Sequence, residues 1–181
     1  LDRSKKMITY PILELVPALC SGSRIATEEI KTSFAAGRGF LLQTETKTLP
    51  VVFKGREDRV FSPSGEVGGE YHHGKGIWCA TSRGRWRAHQ TLAHELCHLL
   101  QDQHVGWPPE TKGCLSTPRQ ISLFQKWSNR LSGYASTNDV EAGAEVFRAL
   151  MGFKAEWDEE PWAYDNALLE EYKAYLQALI K

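Results

Sequence analysis

The chain has 181 residues, 41% of them hydrophobic and 24% charged, with 22 basic residues against 22 acidic ones. That length suits one domain with a sizeable core, and a formal net charge of zero offers no polyanion-binding surface, so nucleic acid is not expected as a partner. No apolar run approaches the roughly 20 residues that span a bilayer, so no membrane span is expected. Leu1 in place of an initial methionine points to a processed or trimmed piece, which hides any upstream signal or domain. Cys20, Cys79, Cys97 and Cys114 show no Cys-x-x-Cys spacing. Free buried thiols are expected rather than bridges, and the compartment stays open.

In chain order, the first stretch is weakly patterned until "TEEIKTSFAAG" (27–37). This reads as a short helix that Thr27 caps, Glu28 and Glu29 favour at its positive end, and Gly37 closes. "GFLLQTET" and "LPVVFKG" read as two short strands rich in apolar and β-branched residues. The glycine-rich segment 62–76 reads as a loop or turn-rich hairpin, with His72 and His73 in solvent, and "IWCATS" (77–82) as the clearest strand. Helical spacing follows. "RWRAHQTLAHELCHLLQDQ" carries Leu92, Leu96, Leu99 and Leu100 at near-helical intervals, and the prolines of "VGWPPE" stop it. A second helix over 117–131 aligns Ile121, Phe124, Trp127 and Leu131; a third runs over 138–152 from Asn138 to Gly152; a fourth covers 162–181. The expected architecture is one α+β domain over residues 1–181, with a small N-terminal sheet and a helical C-terminal half.

The chemistry concentrates in the first of these helices, at His94-Glu95-Leu96-Cys97-His98. Residues four apart on a helix stand one above the other, so His94 and His98 can aim their rings at one ion about 2.1 Å away. Glu95, turned about 100° from His94, can serve as general base toward a water on the metal. The plain alternative is a packed amphipathic helix with two half-buried histidines. Leu92, Ala93, Leu96 and Leu99 make the surroundings apolar, and buried histidines beside a glutamate cost stability without partners; a zinc ion provides them. Cys97 points away from the histidine pair and is not expected as a ligand.

A catalytic zinc takes three protein ligands and keeps one position open. Two residues compete for the third place. His104 gives the spacing HExxHxxQxxH, one residue away from the metzincin pattern HExxHxxGxxH, and a SprT-like protease also has a histidine after its helix. Gln101 stands where the helix-breaking glycine belongs, however, and a helix continuing to residue 103 puts His104 about 9 Å along the axis from His98. Glu141 lies on a later helix with Glu145 one turn on. A carboxylate from a second helix is the gluzincin arrangement, and Glu145 can support a ligand imidazole. Tyr134, just ahead, can steady an oxyanion with its phenol. Each has an ordinary explanation too: Asn138 and Glu141 have capping-box spacing, and tyrosines commonly just pack.

The string Tyr134-Ala-Ser-Thr-Asn138-Asp-Val-Glu141-Ala-Gly-Ala-Glu145-Val-Phe147 resembles the second motif of the anthrax-lethal-factor-like metallopeptidases, which include the bacterial Pro-Pro endopeptidases. The segment "GGEYHHGKGIWCATS" (68–82) is similar to that family's glycine-tyrosine turn and edge strand. The likeness covers about the last two-thirds of the chain. It implies a zincin-like fold, Glu141 as third zinc ligand in preference to His104, Tyr134 as a catalytic aid and Glu145 as support. It also implies a zinc endopeptidase that is secreted or delivered into a target cell, acting as a monomer on a protein or peptide held along the edge strand "IWCATS". One departure stands out: Ala142 and Gly143 occupy positions where the family carries bulky aromatic residues. Two other classes stay in play, a zinc amidase acting on cell-wall material and an inactive zincin-like interaction module.

Overall fold

The computed structural model describes residues 8–11, 39–54, 68–80, 85–103, 115–153 and 160–180. These form a mixed α+β structure with a five-stranded sheet and four α-helices. The chain falls into two compact units, Leu1–Leu92 and Ala93–Lys181. The expected helix at 27–37, His104 and the "VGWPPE" stop lie outside the described residues.

The first unit holds the sheet: β1 (Thr9–Pro11), β2 (Phe40–Gln43), β3 (Thr48–Lys54), β4 (Gly69–His72) and β5 (Gly76–Ala80), in the order β1-β2-β3-β5-β4. β2 and β3, the two strands expected from their apolar and β-branched residues, pair antiparallel. Phe40 pairs with Val51 and Leu42 with Leu49, so all four bury on one face. β3 then runs parallel to β5, aligning Val51 with Ile77 and Phe53 with Cys79. β4 and β5 make a hairpin through residues 73–75, as the glycine-rich segment suggested. His72 is half-buried and His73 exposed. β1, which the sequence pattern did not disclose, adds in parallel to β2 and sets the Tyr10 ring edge-on to Phe40 at 5.4 Å.

One expectation is overturned here. The "IWCATS" strand is not an edge: β5 lies between β3 and β4, and all five of its residues are buried. An unbroken apolar run marks a strand covered on both faces, whereas an exposed edge usually alternates or carries charge. Among the described residues the edges are β1 and β4, so a peptide adding to this sheet would have to pair with one of those.

The second unit is helical. Helix α1 (Arg85–Gln103) crosses the boundary between the units, and every residue from Leu92 to Asp102 is buried, as befits a helix enclosed on all sides. Helix α2 (Pro118–Trp127) starts where Thr117 accepts a hydrogen bond from the Gln120 backbone, with Pro118 in the first turn. Its buried side chains are Gln120 and Leu123, while Ile121 is 40% exposed. The inward face is therefore rotated from the Ile121–Phe124 stripe that hydrophobicity suggests, because polar partners draw Gln120 inside. Helix α3 (Asp139–Arg148) is capped by Asn138, whose Oδ1 accepts from the Glu141 backbone N–H at 2.9 Å. Helix α4 (Asn166–Ile180) buries Leu168, Leu169, Tyr172, Tyr175, Leu176 and Leu179 at helical spacing. None of the described helices is long and apolar enough to cross a membrane. Cys79 and Cys97 are buried and form no disulfide.

Trp78, at the middle of β5, is 1% exposed. Replacing it with alanine is expected to lower the free energy of unfolding by about 3–5 kcal/mol, read from urea denaturation; a loss under about 1 kcal/mol would mean the strand is not packed on both faces.

Candidate metal centre

All the residues that converge belong to the second unit. On α1 the four-residue spacing stacks His94 over His98, with ring centroids 4.7 Å apart. On α3 the Asn138 cap fixes the start of the helix, so Glu141 falls in its first turn and Glu145 one turn later. Only half of a capping box forms. Asn138 accepts from the Glu141 N–H, but the Glu141 carboxylate turns to the histidines rather than back to the Asn138 backbone. Its Oε2 lies 2.9 Å from His94 Nε2 and 3.5 Å from His98 Nε2, and the two Nε2 atoms are 3.0 Å apart. Two ligands of a tetrahedral zinc with bonds of about 2.0–2.1 Å sit about 3.3–3.4 Å from each other. The three atoms thus already have nearly the spacing of one shared cation, and among the described residues they are the one group that could hold a metal ion.

The opposite side of each ring explains why those three atoms face one another. His94 Nδ1 is 2.8 Å from Glu145 Oε1, and His98 Nδ1 is 2.9 Å from Gln101 Oε1. Each contact is with an acceptor, so each Nδ1 carries a proton, and a ring that gives up its other proton has Nε2 available to ligate. Glu145 is held in turn by Arg148, whose Nη2 and Nε donate to its Oε2 at 2.6 and 3.2 Å. The Glu141 Oε2 atom is shielded from water and has the two histidine Nε2 atoms as its close polar neighbours. Three acceptor atoms pointed together away from water are unfavourable unless a positive charge lies among them.

In the absence of a cation that charge is a proton. Burial disfavours the charged ring of His94, yet its contacts with Glu141 and Glu145, together with the charges of Glu95 and Glu145, outweigh burial and push its pKa up to about 10. Burial likewise works against ionised Glu141, but the two histidines pull its pKa down to about 2. Cys97 is pushed well above the ordinary thiol range, by burial first and then by the charges of Glu141 and Glu95. In the metal-free chain it stays a thiol.

The remaining candidates fall around the cluster. Tyr134 sits in the 3-10 turn Gly133–Ser136, which Gly133 enters at φ +57°, a conformation open to glycine. The Tyr134 ring centroid is 5.7 Å from that of His94, and the residue is 58% exposed. Burial of its hydroxyl, then the charges of Glu141, Glu95 and Glu145, raise its pKa to about 12, so the phenol remains a donor at neutral pH. Glu95 is buried, and its charge is felt at both His94 and Tyr134. Helix α1 runs on through Gln103 with no positive-φ residue at Gln101. The broken-helix route to a histidine ligand is therefore not taken at that position.

Three supporting residues escaped the sequence reading: Gln101, Gln120 and Arg148. Gln101 is three residues beyond His98 and Arg148 three beyond Glu145, so helical spacing held the signal. Gln120 offered none, since its role depends on how α2 packs. Comparison of the chain with protein-family models, with curated proteins and with solved structures finds no match. The chemistry of the centre therefore rests on its own atoms.

The shifts define a pH window for the metal-free chain. His94 binds its proton more tightly folded than unfolded, so its contribution is complete below about pH 6.5 and is lost as pH rises through about 10. Glu141 is shifted downward, so its contribution is complete above about pH 4.5 and is lost as pH falls through about 2. Chelator-treated protein is expected to lose stability steadily between pH 6.5 and 10 in urea titrations, and Glu141→Gln is expected to flatten that limb. An alkaline limb that is identical in the variant would refute the coupling.

Proposed function

We propose that this chain is a zinc-dependent endopeptidase of zincin-like fold, with His94, His98 and Glu141 as the three protein ligands. The observation that carries the reading is the convergence of two imidazole Nε2 atoms and a carboxylate oxygen within 3.5 Å of one another. Two imidazoles and one carboxylate suit zinc better than the harder magnesium or calcium ions. Three ligands leave a position open, which favours a catalytic site over a closed structural one, and so an enzyme over an inactive module. The resemblance of the Tyr134–Phe147 string to lethal-factor-like peptidases supports the choice of reaction and a secreted or delivered protein.

A zinc ion bound there would supply a Lewis acid for the scissile carbonyl and lower the pKa of water toward neutrality. Glu95 accepts the proton of the attacking water and returns it to the departing amine. Tyr134, a protonated phenol beside His94, donates to the carbonyl oxygen as that atom gains negative charge. Glu145 and Gln101 hold the two rings in register, and Arg148 holds Glu145.

Glu95→Gln is expected to keep zinc but lower kcat on a peptide library at least about 100-fold. Tyr134→Phe is expected to cost about 100-fold with zinc retained, while Glu141→Ala should lose the metal. Wild-type turnover by Glu95→Gln would remove the general base from the account. Turnover of a cell-wall preparation in place of peptides would replace the peptidase with the amidase.

A further inference from the structure

We infer that Gln101 is a positioning residue that fixes the proton of His98 on Nδ1, and that Gln120 fixes Gln101 in turn. Its consequence for a bound cation rests on the metal reading above; the proton assignment itself does not.

The inference follows from which partners are able only to accept. The Gln120 amide nitrogen lies 2.9 Å from the Leu115 carbonyl and 3.1 Å from Asp139 Oδ2. Neither a backbone carbonyl nor a carboxylate donates, so the NH2 group of Gln120 has to occupy that side. Its Oε1 then faces the opposite way, where it accepts from Tyr175 Oη at 2.8 Å and from Gln101 Nε2 at 2.9 Å. The Gln101 NH2 is also 3.3 Å from the Val140 carbonyl, a second acceptor, which excludes the flipped amide. Gln101 Oε1 is thereby aimed at His98 Nδ1, 2.9 Å away. An oxygen in that position requires a proton on Nδ1 and leaves Nε2 bare, directed at Glu141 and His94. Three acceptors remote from the ring thus decide, through two amides, which of its nitrogens can ligate.

The relay needs room, and α3 provides it. Gln101 and Gln120 are both fully buried, and a Cβ at Gly143 would stand 2.8 Å from Gln101 Nε2 and 3.3 Å from Gln120 Oε1. The small residue that departs from the lethal-factor-like pattern at position 143 is the one against which the two amides pack.

Long-range 1H–15N NMR of the histidine side chains in the metal-free full chain reads the proton position directly. Wild type should show neutral His98 as the Nδ1–H form. Gln101→Leu should populate Nε2–H. Gly143→Ala deletes no polar group and should shift the ring in the same sense as Gln101→Leu, so the test survives if the leucine variant does not fold. Neutral wild-type His98 protonated on Nε2, or a ring left wholly Nδ1–H in both Gln101→Leu and Gly143→Ala, would overturn the inference. Zinc titration of the same samples should show about 10–100-fold weaker binding for Gln101→Leu than for wild type; equal affinities would overturn the positioning role. A wild-type chain that shows Nδ1–H on His98 yet takes up no zinc would defeat the peptidase proposal and leave the proton assignment standing.

Discussion

Two imidazole nitrogens and one carboxylate oxygen, drawn together out of water with their lone pairs facing, set the constraint that the rest of the second unit answers. Such an arrangement is repulsive unless something positive occupies it. A proton meets the need at modest strength, and the raised pKa of His94 with the lowered pKa of Glu141 records how strongly the site calls for one. A divalent cation meets it more fully, because a cation engages all three lone pairs while a proton engages two. The preference for positive charge is thus written into the metal-free protein.

Holding the lone pairs in place requires that every other polar atom nearby be committed elsewhere. The outer nitrogen of each histidine ends on an acceptor, and each acceptor has its own anchor: Arg148 for Glu145, and the Gln120–Tyr175–Asp139 group for Gln101. Buried polar chains of this kind are stabilising only when each member is satisfied, which explains glutamines at sites that periodicity reserves for leucine. The chain also separates two carboxylates by task. Glu141 faces the shared centre, while Glu145 is turned away to hold a ring.

The sequence disclosed what short-range geometry dictates. The four-residue spacing of His94 and His98 sufficed to place two rings on one face, and the Asn138 cap put Glu141 and Glu145 a turn apart on the facing helix. Apolar and β-branched content located β2 and β3, and the glycines around residue 74 located the β4–β5 hairpin. What stayed hidden depends on partners distant in sequence. β1 is only three residues long and exists by pairing with β2. The internal position of β5 follows from its parallel partner β3, which no local pattern reveals. Helix α2 turns Gln120 inward because Leu115, Asp139, Gln101 and Tyr175 gather to receive it, whereas a hydrophobic count assigns a glutamine to solvent and Ile121 to the core. Gly143, read alone, looked like a gap in a familiar pattern; its reason appears only when the two amides beside it are seen.

The most direct test of the central claim is anomalous diffraction at the zinc edge from crystals of the full chain grown with zinc. The account predicts a single strong peak bonded at about 2.0–2.2 Å to His94 Nε2, His98 Nε2 and a Glu141 carboxylate oxygen, with one further position left to solvent. A peak that excludes Glu141, or an empty cluster with zinc bound elsewhere on the chain, would contradict it.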